Sequence, residues 1–171
     1  MNLKKKDFMA SRKSLQPTAT KMIKASAMSK EGDLAITADE SGQVNLWNLL
    51  NAELIVTIID PVSNLERKGI SKLALSNSRL FSLIAFMDGM ISVYDNEMGD
   101  IVAIFVEHQQ PVKHLYVFED NRRVLSSDGN NSCKIWYSHS GELLESITVA
   151  CDLFGLSPDM KYCVSGPGKN T

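Results

Sequence analysis

The chain has 171 residues and a formal net charge of -2 at pH 7, and 44% of its residues are hydrophobic and 22% charged. These proportions are typical of a soluble globular protein and exclude a chain that is disordered throughout. The longest apolar runs, such as 54–59, are far too short to cross a bilayer. The three cysteines are widely spaced and form no paired motif, so reduced thiols in the cytoplasm are expected rather than disulfides or a zinc site.

The first 21 residues are predicted to form a flexible basic leader. Residues 1–24 carry seven basic side chains and one acid, whereas the other 147 residues carry eleven basic and nineteen acidic side chains. The leader contains one aromatic residue, Phe8, and has no sustained apolar face. Contact of this segment with nucleic acid or a membrane is therefore not expected. Nor is a secretory signal, because three lysines and an aspartate at 4–7 occupy the place of its apolar region.

From residue 22 onwards the chain consists of short strand candidates separated by turn signals, and they fall into groups of four. The candidates, in chain order, are 23–28, 34–38, 44–47 and 54–58; 70–75, 80–85, 90–94 and 101–106; 112–118, 124–127, 133–136 and 143–147; and, in an unfinished fourth group, 153–156 and 162–164. Four alternating strands per group predict one antiparallel sheet with tight turns. A parallel sheet is not predicted, because no helical pattern of 10–15 residues separates the strands.

Three of these groups share a motif, at 41–47, 88–94 and 130–136. Each copy has a turn dipeptide, a filler residue, an alternation of apolar and polar residues, and a final aromatic. The aromatics lie 47 and then 42 residues apart, and a period in this range indicates stacked β-units. A single sheet with two apolar faces must be covered on both, which successive sheets packed around an axis achieve. A sandwich is the alternative, but it does not predict the same aromatic at the same distance from each turn.

The repeated motif resembles the WD repeat, in which a strand often ends in Trp-Asp after an Asp-Gly turn. The dipeptides in the Trp-Asp position are Trp47-Asn48, Tyr94-Asp95 and Trp136-Tyr137, of which only the second keeps the aspartate. Two further turns, Gly99-Asp100 and Gly141-Glu142, match the turn of a small residue and an acid before the outer strand.

The resemblance covers residues 22–171 and implies an all-β fold: an incomplete β-propeller of about three and a half four-stranded WD-type blades behind the basic leader 1–21. The expected blades are about 22–59, 69–106, 112–148 and a partial blade at 151–171. Propellers typically have 4–8 blades, so the chain is expected to be part of a larger propeller whose remaining blades lie in a parent chain.

The WD family often stabilises a blade by a hydrogen-bonded chain that runs from His through Ser and Asp to Trp. The third group matches best, with Asn130 in the position of the acid, and an uncharged amide should make this chain weaker than usual. The second group keeps an acid but has Tyr in place of Trp, and the first has only its serine and Trp. The structural residues that the resemblance implies are Trp47, Asp88, Tyr94, His108, Ser126, Asn130 and Trp136.

The expected function is a non-enzymatic scaffold that binds other proteins, with no cofactor and no metal. The three histidines lack metal-ligand spacing, and the 165–171 segment lacks the first Gly and the final Ser or Thr of a phosphate-binding loop. Ser126 and Asp128 have no nucleophile turn around them. The alternative, also from resemblance, is a regulatory or sensor segment of a nucleotide-driven protein that joins a NACHT-type module to WD repeats.

Overall fold

The computed structural model describes residues 22–58, 69–149, 153–157 and 161–166. Within these ranges the chain forms fourteen β-strands. They are β1 (Ile23–Met28), β2 (Leu34–Asp39), β3 (Val44–Asn48), β4 (Glu53–Ile58), β5 (Ile70–Leu75), β6 (Phe81–Phe86), β7 (Ile91–Asp95), β8 (Ile101–Phe105), β9 (Val112–Val117), β10 (Arg123–Asp128), β11 (Ser132–Tyr137), β12 (Leu143–Thr148), β13 (Leu153–Leu156) and β14 (Cys163–Gly166). No helix occurs in these ranges, so none of the described segments is a helix able to span a bilayer.

The strands form three four-stranded antiparallel sheets, β1–β4, β5–β8 and β9–β12, followed by the pair β13 and β14. We call these blade 1, blade 2, blade 3 and the terminal hairpin. Each strand pairs with its neighbour in sequence, because the turns between strands are only a few residues long. Glycines with positive φ, such as Gly42 at 84° and Gly89 at 92°, occupy the β2–β3 and β6–β7 turns. The expected all-β fold with four strands per repeat is confirmed.

The three blades stack face to face and bury an apolar layer at each junction. Between blades 1 and 2 the layer contains Ile36, Leu46 and Ile58 on one side and Ile84 and Tyr94 on the other. β6 lies in the middle blade and is buried along its whole length, which explains its almost continuous apolar sequence.

The layer between blades 2 and 3 is formed by Leu83, Val93 and Phe105 against Val124 and Trp136. β5 touches both β1 and β9, so the first strands of the three blades lie innermost, around a common axis. Sheets stacked in this way form an incomplete β-propeller.

Two glycines fix how closely successive blades approach. A Cβ on Gly99, in the β7–β8 turn of blade 2, would lie 3.2 Å from the Val56 side chain of blade 1. A Cβ on Gly141, in the equivalent turn of blade 3, would lie 2.8 Å from the carbonyl oxygen of Ile104 in blade 2. Each turn therefore packs on the outer strand of the preceding blade, and at Gly141 the backbone of blade 2 leaves no room for a side chain.

The division into leader and blades stays a prediction. The leader 1–21 and residues 59–68, 150–152, 158–160 and 167–171 lie outside the described residues. Several strand boundaries differ from the expected ones by one or two residues. Leu80, for example, is expected from the sequence to begin a strand, but it is 68% exposed in the β5–β6 turn, and the strand begins at Phe81. The reason is that Ser76 closes this turn, since its hydroxyl accepts a hydrogen bond from the N–H of Phe81 over 3.1 Å.

Candidate interaction surface

A buried chain of polar side chains crosses blade 3. The indole N–H of Trp136 donates to the Ser126 hydroxyl over 2.7 Å, and the same oxygen lies 2.7 Å from Nε2 of His108. On the other side of the imidazole, Nδ1 lies 3.1 Å from a carboxylate oxygen of Asp128. All four side chains are buried. The stacked ring of Phe105, 5.0 Å from that of Trp136, joins the chain to blade 2.

The direction of these hydrogen bonds follows from the two groups at the ends of the polar chain, the Asp128 carboxylate and the Trp136 indole. A carboxylate can only accept, so Nδ1 of His108 carries the proton and donates to Asp128. Burial lowers the pKa of His108 below its ordinary value, and the opposing effect of the Asp128 carboxylate does not offset it. The imidazole is therefore neutral, and its bare Nε2 accepts the hydroxyl proton of Ser126. Each polar group of the chain is satisfied.

The expected role of Asn130 is wrong, because the carboxylate of Asp128 occupies that place in the chain. Side chains two residues apart on a strand share a face, so Asp128 lies on the same side of β10 as Ser126. Asn130 lies two residues beyond the strand, in the turn, and is exposed. Its backbone N–H donates to Asp128 over 2.9 Å, so it supports the acid instead of replacing it.

The other predicted structural residues have different surroundings in blades 1 and 2. Trp47 donates to the Thr37 hydroxyl over 2.9 Å, a pair with the same ten-residue separation as Trp136 and Ser126. Tyr94 is fully buried in the layer between blades 1 and 2. Asp88 is exposed in the β6–β7 turn, where it accepts from the N–H of Met90 over 3.0 Å. Only in blade 3 does the structure bring the predicted histidine, serine and Trp together.

Ser126, His108 and Asp128 contact one another in the order of a hydrolase triad, so access to the serine decides what they can do. The Ser126 side chain is 0% exposed, and its oxygen already accepts the indole N–H. A substrate carbonyl cannot reach it without displacing Trp136 from the core. The arrangement therefore serves as a structural link between strands.

Ion pairs and hydrogen bonds connect the turns of different blades at one end of the stack. Lys30 of blade 1 pairs with Glu119 of blade 3 over 3.1 Å. Arg79 of blade 2 pairs with Asp33 of blade 1. The Ser29 hydroxyl, with the Arg79 guanidinium, holds the pKa of Asp33 below its ordinary value. We call this end, formed by the 29–33, 76–80 and 118–122 turns and by the turns between the last two strands of each blade, the turn face.

Backbone groups add to the connection between blades 2 and 3. The N–H of Ser78 donates to the Asn121 side chain over 2.8 Å. The Asn77 side chain donates to the carbonyl of Phe118 over 3.4 Å. These bonds hold the turns of successive blades in one fixed arrangement, so the turn face is a preformed surface.

Exposed apolar and aromatic side chains also lie on the turn face. They are Met28, Leu50, Leu80, Met98 and Tyr137. Aromatic residues, methionine and arginine are enriched at the centres of protein interfaces, where they fill pockets on the partner. The repeat pattern did not identify Leu50, Leu80 or Met98 as surface contacts, because exposed turn residues have no periodicity of their own.

Metal binding finds no support in the part of the chain described. No group of three or more His, Cys, Asp or Glu side chains there could hold a metal ion. Cys133 is buried and Cys163 is exposed, and Cys151 lies outside the described residues.

Comparisons with known proteins agree with this geometry. A family model described as "WD domain, G-beta repeat" matches residues 99–137. The match runs from the turn before β8 to the end of β11, so it joins the outer strand of blade 2 to the first three strands of blade 3. It also contains the whole polar chain. Fold and match together define the class: the described residues form an incomplete β-propeller, of which residues 99–137 match a WD repeat.

Two solved structures show the same fold. The computationally designed Ika4 protein has a TM-score of 0.69 and 18% identity, over 91% of this chain and 91% of Ika4. The computationally designed Ika8 protein has a TM-score of 0.60 and 19% identity, over 74% of this chain. The chain spans 36% of the length of Ika8. No curated protein matches the chain.

Proposed function

We propose that the chain is a non-enzymatic scaffold, part of a larger WD-repeat propeller, that binds other proteins through the turn face. Repeats of this kind generally supply interaction surfaces. The observation that carries the proposal is the connection between turns of all three blades, with Lys30 and Glu119 joining blade 1 to blade 3. A preformed surface loses little conformational entropy when a partner binds, so more of the contact energy appears as affinity.

The composition of the turn face fits this function. Leu80 and Met98 are both exposed, and they lie on adjacent turns of blade 2, since the carbonyl of Leu80 accepts from the N–H of Asn96 over 2.9 Å. They supply exposed apolar surface on blade 2, and the turns of blades 1 and 3 supply charged groups at the same end of the stack. An apolar centre with a polar rim is the usual anatomy of a protein interface.

Affinity capture with matched variants tests the proposal. The immobilised chain would be exposed to an extract of its source cells, as wild type, as the double variant Leu80→Asp/Met98→Asp, and as Met87→Asp. Met87 is an exposed methionine at the opposite end of blade 2 and serves as the control. We expect the double variant to lose the captured proteins and the control to retain them, with all three chains equally stable. Equal capture by all three, or no capture by the wild type, would contradict the proposal.

The wider context of the segment is also a proposal. A parent chain would supply the remaining blades, and the cytoplasm would be its compartment. The link to NACHT-type proteins rests on the sequence resemblance alone, and a Walker-type loop encoded upstream of Met1 in the transcript would support it.

A further inference from the structure

A cleft of about 230 Å³ opens on the turn face of blade 3. Among the described residues it is lined by Arg122, Tyr137, His139 and Ser140. Arg122 precedes β10, and the other three belong to the end of β11 and the turn that follows. A hydrogen bond of 2.8 Å from the N–H of Ser138 to the carbonyl of Arg122 holds the two segments side by side. Cofactor sites usually occupy about 300–1,000 Å³, so this cleft suits one or two side chains of a peptide.

The guanidinium of Arg122, unlike that of its neighbour Arg123, is available to bind a ligand. The Arg123 guanidinium pairs with Asp120 over 2.7 Å and lies 4.6 Å above the centre of the Phe118 ring. Asp120 also accepts the backbone N–H of Arg122 over 2.9 Å, so its carboxylate is already in use. No described carboxylate pairs with the Arg122 guanidinium, which lines the cleft as a fork of donors.

The imidazole of His139 is held in one orientation beside this guanidinium. The Ser138 hydroxyl donates its only proton to the carbonyl of Asn121 over 2.9 Å. Its contact of 2.8 Å with Nδ1 of His139 therefore requires that Nδ1 carry a proton and donate. The ring is also in edge contact with Phe81 of blade 2, at 5.4 Å between ring centres. Nε2 is then a bare acceptor in the neutral ring, and no described residue is bonded to it.

We propose that this cleft binds an acidic side chain of a partner peptide, an Asp or Glu carboxylate. The proposal rests on the scaffold function and specifies one subsite of the turn face. The Arg122 guanidinium donates two hydrogen bonds to the carboxylate, and the hydroxyls of Tyr137 and Ser140 are further donors. Nε2 of His139 accepts a backbone N–H of the same peptide. A single guanidinium matches a singly charged carboxylate, whereas phosphoryl groups are usually bound by clusters of arginines.

Glu142 is the acidic residue in the same turn, and its negative charge partly offsets the positive charge of Arg122. It is exposed, and its backbone N–H donates to the Ser140 hydroxyl over 3.3 Å. Its carboxylate is solvated and so opposes an incoming anion only weakly. Replacing it with glutamine should therefore tighten binding of the acidic peptide, by less than the loss caused by removing Arg122.

The test is an NMR titration of the whole chain with the capped peptides acetyl-Gly-Glu-Gly-amide and acetyl-Gly-Gln-Gly-amide. We expect saturable shifts at the amides of residue 122 and of 137–140 with the Glu peptide. Binding should weaken about tenfold or more with the Gln peptide and in the Arg122→Gln variant, because a charge-assisted hydrogen bond is lost. Arg123→Gln is the control and should leave the dissociation constant within about twofold.

Three outcomes would overturn the assignment: no shift with the Glu peptide, equal binding of the Gln peptide, or unchanged binding in Arg122→Gln. A phosphoserine peptide that binds more than tenfold tighter than the Glu peptide would overturn the choice of a carboxylate. The titration needs no natural partner, so it is independent of the capture experiment. If proteins are captured through Leu80 and Met98 but the titration fails, the scaffold function stands and the cleft assignment falls.

Discussion

The indole of Trp136 and the imidazole of His108 meet at a single atom, the hydroxyl oxygen of Ser126, which lies 2.7 Å from each ring nitrogen. This oxygen accepts a hydrogen bond from the indole N–H, and its own O–H donates a hydrogen bond to Nε2 of the imidazole. Its loss leaves two buried polar groups, the indole N–H and the imidazole Nε2, without partners at once.

The first prediction concerns this atom. Ser126→Ala should lower the free energy of unfolding by about 2–4 kcal/mol, because a buried group left without its partner costs about 1–3 kcal/mol. Ser140→Ala, at an exposed turn position, should change it by less than about 0.5 kcal/mol. Urea unfolding followed by tryptophan fluorescence measures both. Equal effects of the two substitutions would mean that the polar chain does not stabilise the blade.

The second prediction compares the contributions of Asp128 and Asn130 to the stability of blade 3. Asp128→Ala removes the acceptor of the His108 N–H and of two turn N–H groups, so we expect a loss of about 2–4 kcal/mol. Asn130→Ala should cost less than about 0.5 kcal/mol, because this side chain is exposed. Thermal unfolding of both variants checks the order. If Asn130→Ala lowered the stability more than Asp128→Ala, the hydrogen-bonded side chains of blade 3 would include the Asn130 amide and not the Asp128 carboxylate.

The third prediction is a pH dependence. The folded state lowers the pKa of His108, so below about pH 6.5 the unfolded chain binds a proton that the folded chain does not. Stability should therefore fall as the pH drops below about 6.5, until the lower folded pKa is passed. The lowered pKa values of Asp33 and Asp120 act only in a more acidic window, below about pH 4.

Urea midpoints between pH 7.5 and 5 measure this dependence. His108→Gln cannot titrate, so this variant should be less stable at pH 7.5 but lose less stability on acidification than the wild type. His114→Gln, which removes a histidine of β9 outside the polar chain, is the matched control. A slope that survives His108→Gln would assign the effect to other groups.

The fourth prediction uses two glycines with the same backbone conformation. Gly32 and Gly141 have φ values of 74° and 73°, but only a Cβ on Gly141 meets another blade, 2.8 Å from the Ile104 carbonyl oxygen. Alanine at either position should incur backbone strain of about 1–2 kcal/mol. Gly141→Ala should be further destabilised because blades 2 and 3 must move apart. If the two variants had equal free energies of unfolding, the turn at Gly141 would make no close contact with blade 2.

Much of this fold could be predicted from the sequence, because strand alternation and turn residues recur with the aromatics at 47, 94 and 136. Each is buried between or within blades, as packing anchors are. The sequence motif wrongly predicts Asn130 in the position of the acid in blade 3. The motif is aligned on turn residues, and a turn does not show which face of the sheet a side chain occupies. The alternation along β10 was the missing signal, since it places Asp128 and Ser126 on one face.

The cleft could not be predicted from the sequence. Arg122 and Arg123 are adjacent and chemically identical, and only the turn conformation gives Asp120 to one of them. The role of His139 depends on Ser138 bonding across to Asn121, a contact between two turns. Such contacts depend on how turns pack in three dimensions, which strand periodicity does not encode.

The central claim, that the turn face binds partners, is tested most directly by hydrogen–deuterium exchange of the chain with and without a captured partner. We predict new protection at 29–33, 76–80, 96–100, 118–122 and 138–142, and unchanged exchange in the opposite turns at 39–43, 86–90 and 128–132. Protection confined to the opposite turns would contradict the claim.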